Sequence, residues 1–337
     1  MSRRSIYPVF LPHAGCQHRC IFCAQNLTSS CTTIPDPVAT LDSLLGGLPI
    51  KGDGELAFYG GSFTLLPESE QERWLAIGSK LIAEGRIAAL RISTRPDAVS
   101  LQTAERLVAA GVTTVELGCQ SFDDAVLLRA GRGHNGAATE HSLQRLHAQG
   151  IAVGLHLMPG LPGADEDEAM RSLATALALR PDFLRIHPTV VLRDTLLEQL
   201  YRRGDYTPLS LEAAVRLCAS MLRVARGAKV PVIRCGLMAN EDLVHGDAIV
   251  AGPYHPAFGQ LIRSQLWFEL VARLAAAGHR SFCIHPADLS DILGQRRSNY
   301  HALLGQFGTL TFETSESLAR ETIESSGTIS FLFPKKE

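Results

Sequence analysis

From Ile6 onward the chain alternates short apolar runs with stretches whose apolar residues recur at helical spacing. The runs at residues 6–11, 55–59, 88–93, 113–118, 151–157 and 183–191 read as strands. Helical spacing lies between them at residues 40–48, 74–84, 98–110, 123–129, 136–149 and 165–179, with Asp97 as the expected N-cap of the third helix. One strand–helix unit recurs roughly every thirty residues, which is the signature of parallel βαβ construction. Strands such as Thr114-Val115-Glu116-Leu117 read as continuous rather than alternating runs, as expected of a sheet covered on both sides. Six strands precede residue 191, so the expected fold is α/β: a partial (βα)6 TIM-like barrel, open on one side.

After residue 191 the pattern changes. Residues 195–203 and 210–225 read as helices, 230–235 as a seventh strand and 257–277 as a long amphipathic helix. Residues 279–337 carry no clear βα unit, and 308–313 with 328–333 are expected to pair as a small β element. The expected division is therefore a barrel over 1–240 and a C-terminal α/β extension over 241–337 that covers the barrel opening. No repeat beyond the βα period and no low-complexity linker interrupts the chain.

Composition narrows the class. With 337 residues, 46% hydrophobic and 20% charged, the chain suits a well-buried globular protein. A net charge of −2 gives no global attraction to nucleic acid or to a membrane surface. The apolar run near the N-terminus is broken by Pro8 and Pro12, unlike a signal peptide, and no window reaches the roughly eighteen apolar residues of a spanning helix. A cytoplasmic protein without membrane contact is expected.

The candidate chemistry follows the first strand. Cys16, Cys20 and Cys23 fall within the stretch His13 to Cys23, spaced C-x3-C-x2-C, among eight cysteines in the chain. Such clustering in a reducing compartment points to metal rather than disulfides. Cys31, Cys119, Cys218, Cys235 and Cys283 are scattered and read as structural thiols. Structural zinc takes a closed tetrahedral set, which Cys31, His13 or His18 would have to complete. An iron–sulfur cluster held by three thiolates instead leaves one iron open.

This spacing resembles the cluster loop of the radical S-adenosylmethionine (SAM) superfamily, in which the amino and carboxylate groups of SAM chelate the open iron. Further motifs occur in order: Gly60-Gly61-Ser62-Phe63, Ser93-Thr94-Arg95-Pro96-Asp97, Glu116 to Ser121, Gly131-Arg132-Gly133-His134, His156 to Gly163 and Leu184 to Thr195. Together they resemble the radical SAM domain of the Elongator catalytic-subunit family, which modifies uridine in tRNA. The resemblance runs from about residue 7 to about residue 240. Every one of these motifs falls at the C-terminal end of an expected strand, where barrels of this kind build their sites.

The resemblance implies a [4Fe-4S] cluster on Cys16, Cys20 and Cys23, and SAM as second cofactor. It implies that Phe22 flanks the adenine, that Gly60 and Gly61 meet the methionine amino group, and that Gln120 and Arg132 bind the ribose and carboxylate regions. His156 stands where related enzymes place a polar residue near ribose or adenine; a satisfied core histidine is the alternative. Ser93 replaces the Glu usual in the family's Glu-Thr-Arg-Pro-Asp motif, and with it one carboxylate contact. Residues after 240 show no Gly-rich acetyl-CoA loop, so an acetyltransferase domain is not expected among them.

Expected substrate contacts are Tyr7, His187, Arg193 and Arg234, with His255 and Arg263 reaching in from the extension. His255 belongs to a Gly252 to Phe258 loop that resembles short relatives of the Elongator family, and the basic stretch Gly294 to Tyr300 reads as a solvated helix start. The implied activity is reductive SAM cleavage and hydrogen-atom abstraction, fed by an external electron donor such as flavodoxin or ferredoxin. A small molecule or peptide is the first expectation for substrate and RNA the second. A zinc-stabilised, non-catalytic binding protein is the reading of a different class.

Overall fold

The structure is a computed structural model that describes residues 4–16, 19–28, 35–47, 49–238, 243 and 247–333. Six parallel strands follow one another as the repeat predicts: β1 (Ile6–Leu11), β2 (Glu55–Gly60), β3 (Ala89–Thr94), β4 (Val112–Gln120), β5 (Ala152–Leu157) and β6 (Phe183–Ile186). The chain then makes a two-residue strand, β7 (Val191–Leu192), and returns to the sheet as β8 (Val232–Cys235). The sheet therefore has seven strands, ordered β1-β2-β3-β4-β5-β6-β8, and β1 and β8 are its two free edges. It curls without closing. β7 leaves it to pair antiparallel with β9 (Ile249–Ala251), which cuts short the single strand expected to reach residue 191.

Helices cover the sheet. Between strands lie α1 (Gln25–Thr28), α2 (Pro37–Gly47), α3 (Glu68–Ala83), α4 (Leu101–Ala109), α5 (Asp124–Arg129), α6 (Gly136–Ala148) and α7 (Glu166–Ala178), followed by α8 (Leu196–Arg203) and α9 (Leu211–Gly227). Side-chain oxygens of Asp123, Asn135, Asp165, Thr195 and Ser210 accept from free N–H groups at helix starts. Asp97 does not cap α4. Ser100 does, accepting from Thr103 N at 3.0 Å, while Asp97 is claimed by the Arg95 guanidinium at 2.8 and 2.9 Å. One face of the strands buries Leu56, Phe58, Leu90, Ile92, Val115, Leu117, Val153 and Leu155 under these helices. Trp74 anchors α3 there, its ring 5.5 Å from Phe58.

The C-terminal region continues this core. α10 (Phe258–Ala276) packs on α9 and β8 and carries α11 (Leu289–Leu293) and α12 (Ser298–Phe307). A second sheet has four strands in the order β11 (Thr311–Thr314), β10 (Ser281–Ile284), β12 (Thr322–Ser325), β13 (Thr328–Phe331). The two segments expected to pair directly thus share a sheet but are separated by β10 and β12, which the sequence pattern does not predict. Among the described residues, no helix is long and apolar enough to cross a membrane.

The concave side of the barrel is not apolar. Alternate positions of neighbouring strands carry Glu55 and Tyr59, Arg91, Glu116, and Arg185. Arg91 Nε donates to Glu55 at 2.7 Å and its Nη1 to Glu116 at 2.9 Å; Arg185 Nη2 donates to Glu116 at 3.0 Å and to Tyr59 at 3.1 Å. Tyr59 donates to the same carboxylate at 2.8 Å. Burial and the Glu116 charge push the Tyr59 phenol pKa up, which keeps it protonated. Removing one charge from a buried network strands the others, typically at about 3 kcal/mol. Glu116→Gln is therefore expected to lower unfolding stability in urea by about 3 kcal/mol. A loss below about 1 kcal/mol, the scale of one ordinary hydrogen bond, would show that Glu55 and Tyr59 suffice for both arginines.

Candidate active site

The loop after β1 is held by backbone on backbone. Gly61 N donates to Leu11 O at 2.9 Å and Ser62 N to Ala14 O at 2.7 Å. A Cβ on Gly61 would lie 1.8 Å from Ala14 O, and one on Gly15, whose φ is +71°, would lie 2.4 Å from Ser62 O. The two segments fit only without side chains there. His13 and Gln25 staple the loop's two ends, the Gln25 amide donating to His13 Nε2 at 3.2 Å and the His13 amide to the Gln25 side-chain oxygen. Downstream, Ile21 N donates to Ala130 O and Leu197 N to Ile21 O, which seats the loop on α5 and α8. Phe22 packs on Val126, Ala130 and Leu161 beside the site.

This loop forms the rim of a cavity of about 580 Å³, within the size range of small-molecule and cofactor sites. Cys16, Cys20, Cys23, Phe22, Gly60, Gly61, Ser93, Gln120, Arg132 and His156 all line it. Burial pushes the Cys23 thiol up to about 12, with Cys20 and Cys16 adding to the shift, and burial also raises Cys16. Cations face them. Arg132 Nη1 donates to Cys20 Sγ at 3.1 Å and its Nη2 to Gly118 O, and Gly131 and Gly133, both at positive φ, shape the turn that presents it. Arg95 lies close enough to Cys16 and Cys20 to feel their charge, and its Nη1 is buried without a partner.

Gln120 ends β4 at φ 68°, beyond a register shift that turns its side chain toward the cavity. Its Oε1 is buried and unpartnered. An orphaned acceptor and an orphaned guanidinium nitrogen bordering one cavity are what a site built for a polar, charged cofactor looks like. Three thiols faced by two guanidiniums likewise suit a group that binds thiolates. Gly60 has φ +105°, and a Cβ there would meet Leu11 O at 2.7 Å, so the glycine pair is demanded by the cysteine loop as well as by any ligand. Ser93 pairs in register with Glu116, which places a carboxylate one strand away from the position where the related motif carries its own.

Of the residues expected at the substrate, His187 and Arg234 line the cavity and four do not. Tyr7 faces the core because its neighbours Ile6 and Pro8 face the cavity, and strand side chains alternate. Arg193 pairs with Asp247 at 3.1 Å. His255 is turned back to accept from Ala257 N at 3.0 Å, and Arg263 on α10 donates to Asp291 at 2.7 Å. Tyr59 also lines the cavity, as do Arg95, Glu116 and Arg185, which lie in the motifs quoted above but receive no individual role from the sequence. For Glu116 and Arg185 the available signal was a charge at an inward position of an otherwise apolar strand. In the stretch Gly294 to Tyr300, α12 starts at Ser298, and Arg296 and Arg297 hold positive φ on the surface.

His156 and His187 meet edge to face, 4.3 Å between ring centres, each with a buried, unpartnered Nε2. Burial, with Arg185 and Arg132 nearby, pulls the His156 pKa down to about 3. Of the residues proposed to complete zinc, Cys31 and His18 lie outside the described residues, and His13 is engaged by Gln25. Among the described residues no three His, Cys, Asp or Glu side chains converge on a single-ion site.

Two outcomes are expected. Gly61→Ala forces the cysteine loop away and should take up less iron on reconstitution than wild type, whereas Gly305→Ala, where an added methyl meets nothing, should take up the same amount; equal iron in both variants would refute the interlock. A neutral His156 must be protonated more readily in the unfolded chain, so metal-free protein loses stability as pH falls from about 6.5 toward 3. His156→Gln should flatten that acid limb in denaturation curves measured against pH; an unchanged slope would assign it to other groups.

Two family models match in tandem, the radical SAM superfamily over residues 10–176 and the radical SAM C-terminal domain over residues 181–267. A tRNA uridine(34) acetyltransferase of Methanocaldococcus jannaschii is 34% identical over 138 residues, 40% of this chain and 26% of that protein. Human Elongator complex protein 3 is 32% identical over 161 residues, 44% of this chain and 29% of that protein. The chain thus spans less than half the length of these curated relatives. Among solved structures, Methanocaldococcus infernus Elp3 with an N-terminal deletion superposes with TM-score 0.62 at 23% identity, covering 79% of this chain and 63% of that one. Escherichia coli coproporphyrinogen III oxidase, HemN, superposes at 0.50 with 18% identity, over 67% and 53%. With matches running from residue 10 to 267 and this barrel beneath them, the chain belongs to the radical SAM superfamily and is an enzyme whose cofactors are a [4Fe-4S] cluster and SAM.

Proposed function

We propose that Cys16, Cys20 and Cys23 hold the cluster, that SAM occupies the cavity between them and the strand ends, and that a small-molecule or peptide substrate is the target. The observation that carries this is the convergence on one cavity of the three thiols, the Gly60–Gly61 pair, Arg132 and the orphaned Gln120 oxygen. Bound together, cluster and SAM would supply reductive SAM cleavage and hydrogen-atom abstraction from substrate. The protein's own work is placement. Arg132 offers a fork to a carboxylate and compensates the charge at Cys20. Gln120 accepts from a hydroxyl, and Phe22 and Met158 give an apolar wall to the adenine and keep water out. Residues 1–240 form the barrel in this reading, 241–337 its extension, in a cytoplasmic setting with flavodoxin or ferredoxin as electron donor.

RNA is the second reading, favoured by the curated relatives, of which one is named for tRNA uridine(34) and another for the Elongator complex. One experiment addresses both. Anaerobically reconstituted protein, given SAM and a strong reductant, is expected to form 5′-deoxyadenosine, and Cys16→Ala, Cys20→Ala and Cys23→Ala to form none. Tightly held zinc, no iron and no SAM binding would defeat the proposal. Binding of tRNA that falls steeply with salt, joined to faster 5′-deoxyadenosine formation, would move RNA to first place.

A further inference from the structure

The lining of the cavity carries a charge pattern that SAM and the cluster do not use up. Among the described residues it holds five arginines, Arg19, Arg95, Arg132, Arg185 and Arg234, against one carboxylate, Glu116. Arg95 and Arg132 face the cysteines. Arg185 and Arg234 stand elsewhere, as register partners on β6 and β8, and His156 on β5 is the register partner of Arg185. One rung of three adjacent strands therefore carries two guanidiniums beside the neutral His156 ring. His187, one step beyond β6, joins them with its buried, unpartnered Nε2, close enough to Arg234 and Arg185 to feel both charges.

Burial, reinforced by His156 and the two arginines, holds His187 neutral, its pKa well below the ordinary value, so the ring meets a ligand as a hydrogen-bonding partner rather than a cation. Arg185 is already tied to Glu116 and Tyr59, and Arg234 is not a free side chain either. A guanidinium has five donors in a rigid fork, so holding a protein partner leaves capacity for an oxyanion. At the opposite edge of the sheet β1 contributes Ile6, Pro8 and Phe10, and beyond β8 come Leu237 and Met238. The cavity is thus basic along β6 and β8 and apolar at its open side.

We propose that the substrate is a small organic anion whose carboxylate or phosphate is held by Arg185, Arg234 and His187, with its apolar body against β1. This rests on the radical SAM reading and narrows its substrate class.

The test uses fluorine NMR titration of cluster- and SAM-loaded enzyme with 4-fluorobenzoate, 4-fluorophenyl phosphate and the neutral 4-fluorobenzamide. At least one anion is expected to bind and the amide not to, and the preferred anion identifies the head group. Arg234→Gln should weaken that binding roughly tenfold or more, and Arg234→Lys less, because a charge-assisted contact is lost in the first and kept in part in the second. Arg226→Gln, which alters a surface pair with Glu321, should bind as wild type. Unchanged SAM affinity in each variant shows that the fold and cofactor site persist. Equal binding of the amide, no anion binding by loaded wild type, or wild-type affinity in Arg234→Gln would each overturn the assignment. Failure to take up iron and SAM would instead defeat the underlying function, and this assignment with it, before any probe is added.

Discussion

The site depends on a contact between two stretches of bare backbone, 13–16 after β1 and 60–62 after β2. Adjacent parallel strands lie less than 5 Å apart, so the loops leaving them compete for the same space. Here the competition is resolved by removing side chains: Gly15 and Gly61 let Ser62 N reach Ala14 O at 2.7 Å. Once that bond forms, the cysteine loop has no freedom to swing off the barrel mouth, and the His13–Gln25 staple fixes its return. The cavity lining then includes residues as distant in sequence as Cys16 and Arg234.

A second constraint is electrostatic. Burial raises the thiols toward their neutral form, to about 12 for Cys23, while metal binding requires thiolates, so a cluster must displace protons as it binds. Arg132 and Arg95 lower that barrier by facing the cysteines. The arginines inside the barrel are held differently, in a network where Glu116 serves Arg91, Arg185 and Tyr59 together. A low-dielectric interior strengthens such bonds and penalises any missing partner, which makes the network rigid. Rigidity there fixes the strand rung that carries the basic side chains.

The fold was legible because each βα unit repeats one pattern, and strand ends, caps and Gly turns agree with it. Helix starts were less so: α3 begins at Glu68 rather than near Trp74, since its first turn is polar and shows no apolar spacing. The strands β10 and β12 were not anticipated, although β11 and β13 are no longer than they are, and their omission led to the direct pairing of β11 with β13. At the site, the cysteines stood out by their own spacing, whereas Gly60, Gly61, Gln120 and Arg132 stood out only through the family resemblance of the motifs that carry them. Tyr7, Arg193, His255 and Arg263 did not end in the cavity, because which face a strand residue takes and which acid an arginine finds are settled by tertiary register. The Glu116 network was hidden for the same reason, its members being isolated polar residues spread over β2, β3, β4 and β6.

An open sheet explains why the polar interior tolerates both cofactors and a substrate. A closed eight-stranded barrel is just filled by its own side chains. Seven strands with free edges at β1 and β8 leave a lateral opening, and the inward positions need not be bulky: Ala57, Ser93, Gly118 and Gly154 are small. Gly154 is small for packing reasons too, since a Cβ there would meet the Phe183 ring at 2.1 Å. Small residues facing inward make room, charged residues beside them give that room a sign, and the cysteine loop sets its rim. The chemistry available to the chain follows from those three choices acting on one half-closed sheet.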